Sequence, residues 1–147
     1  MARYIRTISG YNEPIAKEWR VAASKTIKEG DIVELDATSR YLQPASAGSE
    51  TIVGVALESI TTGAQVTPKD KIKIIPATGC VFRVKFTGSV KTTLADTDLA
   101  TTQFDLADAQ TIDLDDTTDG MCRVVGYDNN LGYADIIIDD ANVVKIG

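Results

Sequence analysis

Gly30-Asp31-Ile32-Val33-Glu34-Leu35-Asp36, followed by Pro44-Ala45 and Ala47-Gly48 and then by Ile52-Val53-Gly54-Val55-Ala56-Leu57-Glu58-Ser59-Ile60, decides the fold class. The stretch reads as a strand, a turn and a second strand, with no reactive side chain among them. β-Branched residues fill both apolar runs, and Pro, Gly and Ser punctuate the space between them. The second strand is expected to run from Thr51 to Ile60. Gly54 inside it signals a bulge or a close backbone approach, because a strand glycine leaves room for a neighbouring main chain.

Downstream the same grammar continues. Ile72-Lys73-Ile74-Ile75 alternates and stops at Pro76. Cys80 to Phe86 is the cleanest alternating run in the chain: Phe82, Val84 and Phe86 share one face, and Arg83 and Lys85 read as solvated cations on the other. Short strands are expected at Gln103–Leu106 and Thr111–Leu114, and longer ones at Met121–Tyr127, Tyr133–Ile138 and Val143–Ile146. Leu94–Ala100 reads as one helical turn or a loop. About ten short strands, with turn signals every eight to twelve residues, predict an all-β fold, a small barrel or sandwich.

The leading residues are different. Tyr4, Ile8, Tyr11, Ile15 and Trp19 have helical spacing, but Ser9-Gly10 and Asn12-Glu13-Pro14 break any helix there. Residues 1–20 are therefore read as an extended N-terminal arm, and residues 21–147 as a single β-rich body with a polar, Thr/Asp-rich segment at 88–120. Such an arm spans up to roughly 65–70 Å and needs a surface for its apolar side chains, for which a neighbouring subunit is a natural partner. The alternative is an N-terminal strand packed on its own domain.

Composition narrows the chemistry. With 147 residues and 44% hydrophobic content the chain is long enough for one self-sufficient core. It contains no histidine, which removes the usual proton-transfer side chain, every Ser-His-Asp or Cys-His arrangement and every His-containing metal site. Cys80 and Cys122 belong to no CxxC pair and read as buried thiols. No stretch approaches the roughly 20 apolar residues of a membrane span. The N-terminus lacks the apolar centre of a signal peptide, so the protein is expected to be made in a cytosol. Charge is uneven: residues 1–30 carry net +3, residues 31–95 net +1 and residues 96–147 net −10, for −6 in total. Two surfaces of opposite sign are expected.

Few constellations suggest a reaction. Asp113, Asp115, Asp116 and Asp119 invite a calcium site, since hard cations take six to eight oxygens. Their order is not that of an EF-hand loop and no Glu closes it, so a solvated turn between strands is the favoured reading. Phosphate-binding Gly-rich loops are absent, and Ser24-Lys25 and Ser89-Val90-Lys91 lack a helper group. No enzyme activity, cofactor or nucleic-acid partner is expected.

The segment 30–88 resembles the phage capsid cement, or head decoration, proteins. The resemblance lies in the ordered set Gly30-Asp31-Ile32-Val33, Pro44-Ala45, Ala47-Gly48, Ile52-Val53-Gly54-Val55-Ala56-Leu57-Glu58, Lys71-Ile72-Lys73 and Gly79-Cys80-Val81-Phe82. It covers about 60 residues, with a looser match over the C-terminal strands. The Thr/Asp-rich insert after Gly88 has no place on the family pattern. The resemblance implies a compact, β-tulip-like body, commonly a homotrimer. It further implies a place on the outer capsid surface of a virion, in contact with the major capsid protein, and no catalytic residues. It also implies an arm that crosses to neighbouring subunits. On that reading Tyr4, Ile5, Ile8, Tyr11 and Trp19 are interface anchors, and Arg3, Arg6, Lys17 and Arg20 reach acidic patches, these being residue types enriched at binding hot spots. The alternative is a non-catalytic β-module of a phage tail or fibre, or a carbohydrate-binding domain. No membrane partner is expected in either case.

Overall fold

The structure, a computed structural model, describes residues 1–146. Its strands are numbered in chain order. In the quoted stretch, β4 (Ile32–Leu35) and β6 (Ile52–Ala56) pair antiparallel, with Ile32 opposite Val55 and Glu34 opposite Ile52. The register slips at Val53, which places the expected bulge beside Gly54. β6 ends at Ala56, earlier than its hydrophobicity predicts: Leu57, Glu58 and Ser59 form an exposed turn before the short β7 (Ile60–Thr61).

Around this pair stands a five-stranded sheet in the order β2 (Lys17–Arg20), β8 (Lys71–Pro76), β6, β4, β5 (Leu42–Pro44). Its two ends nearly meet. Val21 forms a single parallel bridge with Leu42, and the Ala22 N–H donates to the Leu42 carbonyl at 2.9 Å. A ribbon of β3 (Thr26–Ile27) and β7 adds Ile27 to the same interior.

The second half of the chain builds a closed barrel. β9 (Cys80–Thr87), β11 (Thr111–Asp113), β10 (Gln103–Asp108), β12 (Cys122–Asp128) and β13 (Tyr133–Ile138) pair in that order, and β13 returns to β9 to complete a ring of five strands. Only the β11–β9 pairing is parallel. β1 (Arg3–Thr7) takes the part of the β9 edge that β11 leaves free, opposite Cys80–Arg83, while β11 lies opposite Lys85–Thr87. The fold is all-β, a small barrel packed against a second, nearly closed sheet.

Each unit has its own core, and the two cores lie on opposite faces of β6. Ile52 and Val55 of β6 point into the cluster that holds Phe82, Phe104 and Ile136 of the barrel, whereas Val53 and Ala56 join Val33, Leu42 and Ile74 in the other cluster. A strand buried on both faces explains why the stretch reads as a continuous apolar run. The chain also laces the units together. It starts in the barrel at β1, crosses to the second sheet for β2–β8, and returns for β9–β13. The tail then crosses back: Val143 bridges Ile52, and the Val144 N–H donates to the Ile52 carbonyl at 2.8 Å. Among the described residues the strand expected at Val143–Ile146 is reduced to that one bridge.

The extended arm expected at residues 1–20 is corrected. Its two ends are strands of this body, β1 on β9 and β2 on β8. Only the stretch between them, residues 8–16, runs without strand pairing, as a strap from one unit to the other. The reason is that β8 and β9 each present an edge with unpaired N–H and C=O groups, which the leading residues satisfy within their own chain.

Both thiols are free and buried, as the composition suggests. Burial pushes the Cys80 thiol up to about 11 and the Cys122 thiol further, with Asp105 and Asp139 adding to the effect on Cys122. Only the thiolate is nucleophilic. Neither cysteine is therefore expected to react with a thiol reagent at pH 8 in the native protein, and both are expected to react at once in guanidinium; rapid native labelling would contradict this burial.

Candidate interaction surface

The nine residues expected to carry an interface separate into two groups. Arg3 and Arg6 are exposed on β1, Tyr4 and Ile5 are half-buried beside them, and the register slips between Tyr4 and Arg6, so that Ile5 bulges. The Tyr4 hydroxyl titrates above the ordinary tyrosine range, chiefly through burial and next through Glu13. The Ile8 N–H donates to the Gly79 carbonyl at 2.8 Å. Tyr11 lies on Gly79 so closely that a Cβ there would sit 2.4 Å from the ring, although Tyr11 stays 45% exposed. These side chains line the strap and its landing on the barrel.

Lys17, Trp19 and Arg20 lie elsewhere, on β2 at the seam of the second sheet. β2 is the last strand of its sheet, and beyond Val21 no strand covers its outer edge. Across the seam stands the turn Asp36–Arg40, which is held by its own side chain. The Asp36 carboxylate accepts the Ser39 N–H at 2.8 Å, the Ser39 hydroxyl at 2.9 Å and the Thr38 N–H at 3.2 Å. The Ser39 N–H first, then its hydroxyl, hold that carboxyl below the usual aspartate range. Arg40 adopts a left-handed conformation, φ +61°, which a non-glycine residue takes only when its surroundings enforce it. Its carbonyl accepts the Trp19 indole N–H at 3.1 Å.

The result is a shallow depression of about 500 Å³. Trp19 and Tyr41 form its apolar floor, and Arg20, Arg40 and Lys71 its rim. The Arg20 guanidinium lies 4.4 Å from the Tyr41 ring centre, an attractive cation–π geometry. The Arg20 Nε is buried without a hydrogen-bond partner. Lys71 is paired with Glu18 at 2.7 Å, and among the described residues the guanidinium groups of Arg20 and Arg40 have no ion-pair partner. Sequence reading reached Trp19 and Arg20 but missed Arg40, Tyr41 and Lys71; the Asp-x-x-Ser-Arg-Tyr order of a capped turn ending in a cation was the available signal.

The other surface is acidic, and several of its carboxylates are engaged. Asp115 accepts the N–H groups of Ser89, Val90 and Lys91, and its carboxyl is held below the usual range by these bonds, Lys91 first. Asp113 accepts the Asp115 N–H, Asp116 the Thr118 N–H, and Asp128 those of Asn130 and Leu131. The turns of the Thr/Asp-rich segment, which flank the barrel strands β10 and β11, are thus capped by side chains. Among the described residues no three acids or thiols converge on a point where a metal ion could sit, Asp113, Asp115, Asp116 and Asp119 included. Arg83, read as a solvated cation, instead forms a two-pronged pair with Asp135 at 2.8 and 3.1 Å and stacks on Tyr133, because β9 and β13 place Arg83 opposite Asp135.

Asp98 illustrates what these caps contribute. Burial alone raises its carboxyl, but the Ala95 N–H at 2.9 Å, Lys91 at 3.0 Å and the Thr102 hydroxyl at 3.1 Å outweigh burial and leave it lowered. A carboxyl lowered in the folded state binds fewer protons than in the unfolded chain. Its stabilisation is therefore complete above the unfolded value, about 3.9, and is lost as pH falls through the folded one. Asp98→Ala is expected to cost about 1–2 kcal/mol at pH 7, with the gap from the parent narrowing below about pH 4. Urea unfolding at several pH values checks this; a gap that does not change with pH would contradict it.

A wider concavity of about 640 Å³ lies where the two units meet, between Lys28, Lys85 and the Pro44–Ala47 loop. Its buried carboxylate, Asp31, is engaged by the Lys28 N–H at 2.9 Å and the Gln110 amide at 2.8 Å, and serves to join the units.

No protein-family model matches the chain, and no curated protein matches it in sequence.

Proposed function

We propose that this protein is a structural decoration protein of a phage capsid, which binds the outer lattice as a homotrimer and stabilises the head against internal pressure. The observation that carries the reading is the Trp19–Tyr41 depression with its two guanidinium groups, set on an uncovered sheet edge. Aromatic and arginine side chains on a rigid surface are the chemistry of adhesion. A barrel and a nearly closed sheet laced together by three chain crossings make a body that transmits load without hinging at a linker. The ordered motifs of residues 30–88 fall on the second sheet and the start of β9, and the cement-protein resemblance rests on the same elements.

Removing residues 1–18 is a poor test, since it deletes β1 and half of β2. Point variants keep the body. The protein is expected to sediment with expanded, undecorated heads, and the Trp19→Ala and Arg20→Ala variants to do so at least about ten-fold more weakly. Light scattering is expected to give a trimer. Failure of the unaltered protein to sediment with heads overturns the proposal.

A further inference from the structure

The depression at the β2 seam has features that specify what it takes. Its outer boundary is the edge of β2, which pairs with no strand before Val21 bridges Leu42 and across which the Trp19 indole reaches the Arg40 carbonyl. Its floor is two aromatic rings, and its unpaired charges are two guanidinium groups. The acids nearby are occupied: Glu18 pairs with Lys71, and Asp36 is turned inward onto Thr38 and Ser39. Lys17 adds further positive charge on β2. Among the described residues the Arg20 Nε is buried and has no hydrogen-bond partner. Arg40 is held in place before any partner arrives, because Asp36 and the Trp19 indole N–H together enforce its left-handed backbone. Such preorganisation reduces what binding costs.

We propose that this depression holds an extended acidic segment of a partner protein. The segment lies along the outer edge of β2, its carboxylates on Arg20 and Arg40 and an aliphatic side chain over Trp19 and Tyr41. The assignment rests on the reading of this face as an adhesion surface and names the chemistry of what adheres. An edge strand accepts another strand through main-chain hydrogen bonds, and pockets for alternate side chains supply specificity. Side chains at every second position of a strand share a face. The recognised pattern is therefore acid–x–aliphatic–x–acid. Guanidinium groups match carboxylates in a planar, two-pronged fashion that a lysine does not reproduce.

The chain's single tryptophan is Trp19, so its emission reports on this site alone. The probe is the peptide Thr-Glu-Thr-Val-Thr-Glu-Thr, titrated into the full-length protein, with the same peptide carrying Lys for Glu as control. A saturable change in Trp19 emission is expected with the acidic peptide and not with the basic one. Arg20→Gln and Arg40→Gln are each expected to weaken it about ten-fold or more, as is raising salt from about 50 to about 500 mM. Circular dichroism establishes that both variants remain folded. Equal response to both peptides, no saturable response, or variants that titrate like the parent overturns the inference. So does emission that changes on diluting the protein alone, which would put a second copy in the site. Sedimentation with heads separates the two proposals. Heads bound without peptide binding sinks this inference alone, and peptide bound without head binding sinks the capsid function alone.

Discussion

Gly54→Ala is expected to destabilise the protein by about 3 kcal/mol or more, lowering the thermal midpoint by about 10 °C for a chain of this length. A Cβ at Gly54 would stand 1.9 Å from the Ile75 carbonyl oxygen, 2.8 Å from the Ile75 carbonyl carbon and 3.1 Å from the Pro76 Cα. All three are main-chain atoms, so no side-chain rotation relieves the clash. β6 and β8 must separate where Gly54 faces Pro76, and that shift reaches both cores, since Ile52 and Val55 face one and Val53 and Ala56 the other. Gly63→Ala is the control. Its Cβ meets nothing within 4 Å, and a change within about 0.5 kcal/mol is expected. Chemical denaturation of both variants decides the matter, and a Gly54→Ala loss below about 1 kcal/mol would contradict the close approach of β6 and β8.

Asp105→Ala is expected to cost about 3 kcal/mol. Asp105 is only 2% exposed. Its carboxylate accepts the Gly48 N–H with both oxygens, at 3.0 and 2.9 Å, and the Leu106 N–H at 2.7 Å. Gly48 belongs to the loop between β5 and β6, so this one side chain ties the second sheet to the barrel. Alanine leaves the buried Leu106 N–H and the partly buried Gly48 N–H without this acceptor, and the unmet solvation of the former is the larger part of the cost. Asp105→Asn keeps the shape and one acceptor oxygen and is expected to cost about half as much. If both variants unfold at the denaturant concentration of the parent, the carboxylate is not the joint that holds the units.

Much of this architecture is written locally. The alternation of Phe82, Val84 and Phe86 makes a half-buried strand wherever its partners lie, and β9 forms as that pattern predicts. Gly54 signals a bulge or a close backbone approach, and the structure has both, because the steric need for a missing Cβ is a property of the strand itself. In the Asp113–Asp119 stretch, read as a solvated turn, Asp113 and Asp116 cap backbone two residues on, whereas Asp115 reaches back to the main chain of Ser89, Val90 and Lys91. Arm residues were misread for the opposite reason. Arg3–Thr7 and Lys17–Arg20 are too short and irregular to declare themselves as strands, and they become strands only against β9 and β8, far along the chain.

An all-β chain of short strands with buried thiols is legible from the amino-acid order, since period, turn chemistry and composition act over a few residues at a time. Only the tertiary structure decided that β13 closes on β9, that the leading residues complete their own sheets, and that Trp19 and Arg20 meet Arg40 and Tyr41. Those outcomes depend on which distant edge has unpaired N–H and C=O groups to offer, and that is settled by long-range pairing and not by any local run of residues.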